Sequence, residues 1–564
     1  MGSLRTIPAD LDLVHETTDA DTFASWEADL LKCDSRQPRS WAFLIFPDDN
    51  CYSDAAAGYP DADYTPDVSP DSRYADMSDA ILATGRPILF QICDWGVDFP
   101  SAWAPALGNT WRITNDIIPA YRTISRILNQ AVPQTTFAGP GQWLDLDMLE
   151  VGNQIFTTAE EQTHFSLWSI IKSPLVIGAA LKDTYTSISA SSLAILNNID
   201  VISYNQDSLG VAASFRRRWT AEGYEVWAGP LSGGRTIVAV INLSDASKYL
   251  ALDFPDVGLQ TAATVKDIWN GVTSKNVLTS YVGEVQAHGV LLLELRDTTP
   301  AGQYSLADAK VSGYVYACRL LSFAYSLRNT ASFSKVYGAT TSSNFTLLAT
   351  FAQATSLAIT IMINDTPHTI AAGALSFTAS LSLLATNDNA LTITSHPLPT
   401  SITITNPPAA FYPSTSFTLS GSSTRTTCSS GLCTPVGSKI GYLSPSGSAS
   451  LSLTSPASSL PGSKLLEVYF CNNDIAFSTS WTTGTNTRNM TISVNGEVTR
   501  IEVPLSGRSS ELFSPGLGWE DTGKFVVLAE GWVNGVNEVV VGNEDGAAGL
   551  VSDGADFVGL AVYW

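Results

Sequence analysis

The sequence predicts a chain of several domains, in which a parallel α/β domain is followed by all-β domains. Up to about residue 205, short apolar runs alternate with helical patterns, and from about residue 206 polar and apolar residues alternate between glycine-rich turns. With 564 residues, 45% of them hydrophobic, the chain can fill several cores. We therefore expect most of it to be folded.

The first predicted domain, residues 1–205, contains five strand and helix units. Its strands are predicted over EADLLK, RPILFQIC, TWRI, QWLDLDML and PLVIGAA, and its clearest helices over SRYADMSDAILATG, YRTISRILNQ and TTAEEQTHFSLWSIIK. The last helix is predicted to begin with a capping box of Thr158 and Glu161. Since a closed β/α barrel has eight strands, these units predict an incomplete (β/α)8 TIM barrel.

The remaining predicted domains are rich in β-strands. Residues 206–297 carry alternating runs such as YEVWAGPL and RTIVAVINLS, which predict an antiparallel β-sandwich. Residues 298–425 are rich in Ser and Thr and are predicted to be either all-β or a linker. Residues 426–564 hold further predicted strands and form the last all-β domain.

Composition and motifs restrict the kinds of partner. With 30 basic against 53 acidic residues and a formal net charge of -23, the chain is a poor match for nucleic-acid phosphates or anionic lipid. The sequence has no HExxH, P-loop, dinucleotide or CxxC motif, so we predict neither a metal nor a cofactor. His164 lies in a helical pattern, where a packed core role is favoured over a catalytic one. A neutral partner is therefore expected.

Several acidic residues stand at the ends of predicted strands, some of them beside a Trp. In a β/α barrel the C-terminal strand ends form the active site, and two carboxylates suffice for glycoside hydrolysis, one as nucleophile and one as acid and then base. A single Asp at such a position is more often a turn former or helix cap, so the prediction rests on the group. The candidates are Asp49, Asp94, Asp116, Asp145 and Asp147.

Four long blocks carry specific motifs: GRPILFQICDWGVDFPSAWAPALGNTWRITNDI, GPGQWLDLDMLEVGN, THFSLWSIIKSPLVIGAAL and ILNNIDVISYNQDSLGV. Together they resemble consecutive parts of glycoside hydrolase family 27, the α-galactosidases. The resemblance runs from about residue 16 to about residue 297. It implies a (β/α)8 barrel followed by a β-sandwich, and hydrolysis of terminal α-galactosyl residues with retention of configuration.

The resemblance also implies roles for individual residues. In the family's W-R-x-x-x-D-I run, Asp116 would be the acid/base, and Arg112 would hydrogen-bond the sugar or that acid. Asp147 would contact the galactose and Trp95 would line its pocket. Asp94 would lie near the 2-hydroxyl, where an acid favours galactose over N-acetylgalactosamine.

The family's nucleophile lies in a K-Y-D-N-C-Y-like run that is interrupted in this chain. Lys32, expected to contact the galactose, is followed by Cys33 and Asp34, and DNCYSD begins only at Asp49. Without residues 34–48 the run reads K-C-D-N-C-Y, so we interpret that segment as an insert such as a translated intron. Asp49 is the predicted nucleophile, and Asp34 is the alternative.

The N-terminal region lacks the family motifs of the first three barrel strands and any recognisable signal peptide. We therefore expect an N-terminally truncated form of a protein that is secreted when complete. Four glycosylation sequons, and a small loop that Cys428 and Cys433 could close as a disulfide, suit a secreted glycoprotein.

The last domain contains NMTISVNGEVTRIEVPLSG and GADFVGLAVYW, which resemble parts of the carbohydrate-binding modules of family 35. Such modules stack flat aromatic faces on sugar rings. The candidate residues are Trp481, Trp519 and Trp532, although a Trp in a β-sandwich more often belongs to the core.

These observations predict a retaining α-galactosidase that acts on galactose-containing oligosaccharides or polysaccharides, with no nucleic-acid or membrane partner. Two alternatives remain open. One is a catalytically inactive carbohydrate-binding protein. The other is a sister specificity, α-N-acetylgalactosaminidase or β-L-arabinopyranosidase, which shares the catalytic residues and differs in pocket contacts.

Overall fold

The structure is a computed structural model that describes residues 15–34, 70–96, 98–181, 188–314, 328–336, 343–383, 389–457, 459–473, 485–507, 520–543 and 553–564. The chain divides into two compact units, each made of several segments. Unit 1 comprises Met1–Ser214, Cys471–Thr487 and Pro504–Gly523, and unit 2 comprises Phe215–Phe470, Arg488–Val503 and Lys524–Trp564.

Unit 1 is built on a parallel sheet with helices between its strands, which confirms the predicted α/β fold. The strands lie in the order β1-β2-β3-β4 and are β1 (Leu30–Asp34), β2 (Leu89–Cys93), β3 (Thr110–Arg112) and β4 (Trp143–Asp145). The helices are α1 (Glu16–Ser25), α2 (Asp71–Ala83), α3 (Tyr121–Ala131), α4 (Thr158–Ile171), α5 (Ala190–Leu196) and α6 (Ile199–Asn205). No helix in the described parts of the chain is long and apolar enough to cross a membrane.

The two faces of this sheet differ in polarity. Ile92, Trp111 and Leu144 lie in register on neighbouring strands and are all fully buried. Because successive side chains in a strand point to opposite faces, the alternate residues form the other face. There Arg112 lies in register with Asp145. The apolar face therefore contributes to the hydrophobic core, and the polar face carries charged residues at the C-terminal ends of the strands.

The predicted strand PLVIGAA is reduced to a single parallel bridge between Leu149 and Ile177. The amide of Leu149 donates to the carbonyl of Val176, and the amide of Gly178 donates back to the carbonyl of Leu149. The backbone of Asp147, which would make the preceding rung, is bonded elsewhere, because its amide donates to the carboxylate of Asp145 and its carbonyl accepts from Nε1 of Trp168. The segment therefore makes one rung instead of a ladder.

Helix α4 begins one residue before the predicted position. Its capping box joins Thr157 and Glu160, whereas the prediction placed it at Thr158 and Glu161. The T-x-x-E pattern occurs in both registers. Glu161 is buried instead, and its carboxylate accepts hydrogen bonds from the amide of Gly152 and the hydroxyl of Ser192.

Unit 2 begins with the predicted antiparallel sandwich. Its strands are β5 (Ser214–Trp219), β6 (Tyr224–Leu231), β7 (Arg235–Asn242), β8 (Lys248–Asp253), β9 (Leu259–Asp267), β10 (Val272–Leu278), β11 (Ser280–Val285) and β12 (Val290–Pro300). They form a six-stranded sheet in the order β10-β9-β12-β7-β6-β5 and a two-stranded sheet, β11-β8. The buried core between them includes Val240, Leu252 and Leu293.

The Ser/Thr-rich stretch that follows is also folded β-structure. Its strands are β13 (Gln303–Tyr304), β14 (Lys310–Tyr314), β15 (Arg328–Val336), β16 (Ser343–Thr350), β17 (Ile359–Ile363), β18 (Thr366–Ile370), β19 (Ser376–Leu383), β20 (Asn389–Ser395) and β21 (Ser401–Thr405). They form two sheets, β13-β21-β16-β19 and β14-β15-β20-β17-β18, around one core. Of the two predicted alternatives, the structure has the all-β one.

The last sandwich has strands on both sides of the predicted boundary at residue 426. Its strands are β22 (Ala409–Pro413), β23 (Thr418–Gly421), β24 (Thr424–Thr427), β25 (Ser438–Gly441), β26 (Gly447–Thr454), β27 (Gly462–Cys471), β28 (Arg488–Val494), β29 (Glu497–Val503), β30 (Gly523–Trp532), β31 (Val536–Gly542) and β32 (Asp556–Tyr563). One sheet has the order β24-β25-β32-β27-β30, with β22 paired to β32, and the other has the order β23-β26-β31-β28-β29. The disulfide between Cys428 and Cys433 is present, as predicted.

The capping box gives a matched pair of variants. Thr157→Ala removes the side chain that accepts the hydrogen bond from the amide of Glu160, so we expect the free energy of unfolding to fall by about 1 kcal/mol. Thr158→Ala, on the next exposed Thr, should change it by less than about 0.5 kcal/mol. Urea titration followed by circular dichroism measures both. Equal losses in the two variants would contradict the observed register.

Candidate active site

A loop of residues 113–117 follows β3 and carries Asp116; we call it the 113–117 loop. Arg112, the last residue of β3, directs its Nη2 atom to Asp116 Oδ1 at 2.9 Å and to Asp147 Oδ2 at 2.6 Å. The side chain of Asp116 is 33% exposed, whereas those of Arg112 and Asp147 are 1% and 7% exposed. The structure therefore brings three predicted site residues together, and only Asp116 among them has substantial access to solvent.

Asp147 is held almost entirely by protein groups. Its Oδ2 atom accepts a hydrogen bond from the amide of Ile117 at 2.7 Å, in addition to the contact with Arg112. Its Oδ1 atom accepts one from the amide of Met148 at 2.7 Å. Its backbone is in the left-handed region, with φ of 80°. This carboxylate therefore ties the end of the 113–117 loop to the turn after β4.

Charges within the cluster are strongly coupled. Burial opposes the charge of Arg112, but the carboxylates of Asp147, Asp145 and Asp116 raise its pKa well above the usual value, so the guanidinium stays charged. Burial also raises the pKa of Asp145, and Arg112 opposes that effect. Asp145 accepts hydrogen bonds from the amide of Asp147 at 2.9 Å and from the side-chain amide of Gln91.

Helix α3 holds the 113–117 loop from its other side. Arg126 donates to the carbonyl of Asp116 at 2.9 Å and to the side-chain oxygen of Asn115. Gln130, one turn later, donates from Nε2 to the carbonyl of Ile113 at 2.6 Å. Burial, together with repulsion from Arg112, lowers the pKa of Arg126 to about 10.

Arg126 and Gln130 belong to the site, although no motif in the sequence indicates them. A signal for them exists, because their spacing of four residues puts both on one face of a helix. Both are buried in the structure. Long polar side chains on a buried helix face need partners, so this pattern could have indicated a polar site.

The turn after β2 packs against the same loop. Asp94 and Trp95 are buried, at 0% and 1% exposure, and the backbone of Trp95 has a positive φ of 52°. A Cβ atom on Gly96 would lie 2.1 Å from the carbonyl oxygen of Ile113, so only glycine allows this approach. Asp94 and Trp95 therefore directly precede the glycine that contacts the 113–117 loop, and both of their side chains are buried.

The two nucleophile candidates differ in what the structure describes. Asp34 is the last residue of β1 and lies in register with Cys93 on β2. The Sγ atom of Cys93 is 3.8 Å from Nη1 of Arg112. Lys32 is exposed on β1, in register with Gln91. Asp49 lies outside the described residues.

Comparison with known proteins identifies the family. Residues 59–207 match the family model described as α-galactosidase A, and residues 221–295 match that of the α-galactosidase C-terminal β-sandwich domain. A probable α-galactosidase D of Aspergillus niger is 53% identical over 558 residues, which are 98% of this chain and 80% of that relative. The chain belongs to glycoside hydrolase family 27, the α-galactosidases.

Two further matches are similar in kind. A probable α-galactosidase D of Aspergillus oryzae is 52% identical over 556 residues, which are 98% of this chain and 80% of that relative. The crystal structure of α-galactosidase I from Mortierella vinacea is 28% identical, covers 51% of this chain and 72% of that chain, and has a TM-score of 0.43. The region matched to the first family model includes Asp116 and Asp147, whereas Asp34 and Asp49 precede it.

Of the three Trp residues predicted to stack on sugars in the last domain, the structure describes one. Trp532 is 2% exposed and packs edge to face on Trp564, with ring centroids 5.0 Å apart. It is a core residue of the last sandwich, so its prediction as a sugar-binding residue is corrected: a buried ring offers no face to a sugar. Trp481 and Trp519 lie outside the described residues.

His164 has the structural role that the sequence predicts. It is fully buried in α4, accepts a hydrogen bond on Nε2 from the amide of Glu150 at 3.0 Å, and packs edge to face on Trp168. Burial lowers the pKa of His164 to about 3. The ring is therefore neutral in the folded protein at ordinary pH.

This buried histidine makes the stability of the protein sensitive to acid. Between the ordinary histidine pKa of about 6.5 and the folded value of about 3, the unfolded chain binds a proton that the folded one does not. The free energy of unfolding should therefore fall by up to about 1.4 kcal/mol per pH unit as the pH drops through this range.

We expect His164→Gln to reduce this acid dependence, since it keeps an acceptor near the amide of Glu150 and removes the titrating ring. Urea unfolding midpoints, measured at several pH values from 4 to 7, give this dependence. They are compared for the unfolding transition whose midpoint changes in the variant. His368→Gln, on the partly exposed strand β18, is the matched control. A constant offset between His164→Gln and wild type at every pH would show that His164 does not titrate on unfolding.

Proposed function

We propose that this protein is a retaining α-galactosidase that hydrolyses terminal α-D-galactosyl residues of galactosides by double displacement. One observation carries the proposal. In a chain of this family, the partly exposed carboxylate of Asp116 lies in the loop that follows the C-terminal end of β3 and is bonded to the buried guanidinium of Arg112. The names of the relatives, α-galactosidase D, support the substrate class.

The geometry around Asp116 suits an acid that becomes a base. In the first step Asp116 would donate a proton to the departing glycosidic oxygen, which leaves a carboxylate 2.9 Å from Nη2 of Arg112. The guanidinium charge stabilises that carboxylate. In the second step the carboxylate would take a proton from water as the water attacks the glycosyl-enzyme. Arg112 itself stays charged and transfers no proton.

The nucleophile is proposed from the sequence and remains Asp49, with Asp34 as the alternative. Asp34 has one supporting observation, because β1 ends at this residue and C-terminal strand ends form the active site of a β/α barrel. A retaining pair needs carboxyl groups about 5 to 5.5 Å apart, so only one of the two residues can hold this role.

We further propose that the protein acts outside the cell on galactose-containing oligosaccharides or polysaccharides. The disulfide between Cys428 and Cys433 is typical of secreted proteins. Among the sequons, Asn364 and Asn489 are exposed. Asn242 is fully buried and its side-chain amide donates to the carbonyl of Ala246 at 2.7 Å, so it cannot accept a glycan in the folded protein.

Removing the acid/base should leave a diagnostic chemistry. In Asp116→Ala, hydrolysis of methyl α-galactoside should fall by about 100-fold or more, since general acid catalysis typically contributes that much. Hydrolysis of a dinitrophenyl α-galactoside, whose leaving group needs no proton, should persist. Added azide should then yield α-galactosyl azide, detected by NMR.

Asp79→Ala, at an exposed acid on α2, is the control and should behave as wild type. If Asp116→Ala reduced the hydrolysis of both substrates by the same factor, Asp116 would not be the acid/base. A wild-type chain that binds immobilised galactan without turning over any α-galactoside would overturn the proposed activity in favour of a binding protein.

The nucleophile is decided by a reciprocal pair of variants. With the dinitrophenyl substrate, Asp49→Gly should be inactive alone and yield β-galactosyl azide when azide is added, because azide then attacks directly from the vacated face. Asp34→Gly should release α-galactose first, as a retaining enzyme does. The opposite assignment of products would make Asp34 the nucleophile, and an absence of β-galactosyl azide from both would exclude both residues.

A further inference from the structure

The amide side chain of Gln130 connects the 113–117 loop to a distant part of the chain. Its Nε2 atom donates to the carbonyl of Ile113 at 2.6 Å, and its Oε1 atom accepts from Nδ2 of Asn486 at 3.1 Å. Asn486 is 356 positions away in sequence and belongs to the Cys471–Thr487 segment of unit 1. A second hydrogen bond, from Asn129 to the carbonyl of Thr485 at 2.9 Å, joins the same two segments.

These contacts are buried and specific. Gln130 and Asn486 are 1% and 6% exposed, so water does not replace a lost partner easily. Asn486 has a left-handed backbone, with φ of 58°, a conformation that Asn adopts more readily than most residues. The left-handed turn thus brings an amide donor to a place where helix α3 offers an acceptor.

The Asn486 contact fixes which way the Gln130 amide faces. A glutamine amide has a donor end and an acceptor end, and a half-turn exchanges them. Only the donor end can bond the carbonyl of Ile113. Because Asn486 offers an N–H group to the other end, the exchanged orientation would set two N–H groups against each other and two oxygens against each other. The observed orientation is therefore favoured on both sides.

The orientation of Gln130 bears on Asp116 through the loop that they share. Ile113 is the first residue of the 113–117 loop. At the other end of the loop, Arg126 donates to the carbonyl of Asp116, and the amide of Ile117 donates to Asp147. Gln130 is the side chain of α3 that holds the beginning of this loop. If Gln130 turned over, the carbonyl of Ile113 would lose a buried hydrogen bond, and the beginning of the loop would keep the bond that the amide of Ile113 donates to the carbonyl of Asp145 at 3.2 Å. The loop would then be held less firmly at its beginning.

We propose that Asn486 is a positioning residue for Asp116, acting through Gln130 and the carbonyl of Ile113. The inference rests on the proposed function, since it takes Asp116 as the acid/base. It gives a residue of the C-terminal third of the chain a part in catalysis that is separate from any sugar binding by that region.

The test uses Asn486→Gly, which removes the amide and accepts the left-handed backbone without strain. We expect kcat/KM for methyl α-galactoside to fall about 5- to 10-fold, the loss expected from one hydrogen bond. For a dinitrophenyl α-galactoside, whose departure needs no acid, kcat/KM should change by less than about 2-fold.

Two controls separate positioning from general destabilisation. Asn276→Gly makes the same substitution at an exposed residue with φ of 51° and should leave both substrates unaffected. In a Gln130→Ala background, Asn486→Gly should cause no further loss, because the path through Gln130 is already broken.

Hydrogen exchange of the 113–117 loop gives a readout that does not depend on activity. Its amides, including that of Ile117, should exchange faster in Asn486→Gly than in Asn276→Gly. The role of Asn486 would be overturned if kcat/KM fell equally for both substrates or fell for neither. It would also be overturned if the hydrogen exchange of the loop amides were unchanged. A wild-type protein without turnover would instead overturn the proposed function, and the exchange result would still decide whether Asn486 orders the loop.

Discussion

The buried guanidinium of Arg112 is the interaction on which the site depends. Removing such a charge from water is costly, and it is tolerated only where carboxylates and hydrogen bonds compensate for it. Asp147 at 2.6 Å and Asp116 at 2.9 Å supply that compensation. Deleting one partner of a buried pair usually costs about 3 to 5 kcal/mol, since the other charge is left unpaired. These ion pairs therefore hold the ends of β3 and β4 together. Substituting one of the charged residues is expected to lower the free energy of unfolding substantially.

The three carboxylates of this cluster differ in their exposure to solvent and therefore in their roles. Asp145 and Asp147 are buried, and backbone amides occupy oxygens of both. They orient the strand ends and keep Arg112 charged. Asp116 shares the same guanidinium but is a third exposed, so it is the carboxylate of the three that an incoming molecule can reach. A charge that is fixed by two buried acids and presented to a third, accessible one gives Asp116 a constant electrostatic environment.

Local patterns predicted the parts of this arrangement that depend on neighbours in sequence. The parallel strands, the helices between them and the run from Arg112 to Asp116 follow from periodicity and motif. The predicted capping box differs from the observed one by one residue because two overlapping registers, at Thr157 and Thr158, fit the same pattern. Trp532 was ambiguous because a β-strand pattern does not say which of its faces is covered. The contact between Gln130 and Asn486 could not be predicted, since 356 residues separate them and neither carries a motif.

That contact also bears on how unit 1 is completed. Its three segments include Cys471–Thr487 and Pro504–Gly523, which come from the last part of the chain. Contacts between residues so far apart in sequence carry a larger loop-closure entropy than local contacts do. The strands β1 to β4 lie within residues 30–145, whereas the hydrogen bond that Asn486 donates to Gln130 joins residues 356 positions apart. The sheet is thus a local product of the sequence, whereas the rigidity of the 113–117 loop depends on the whole chain.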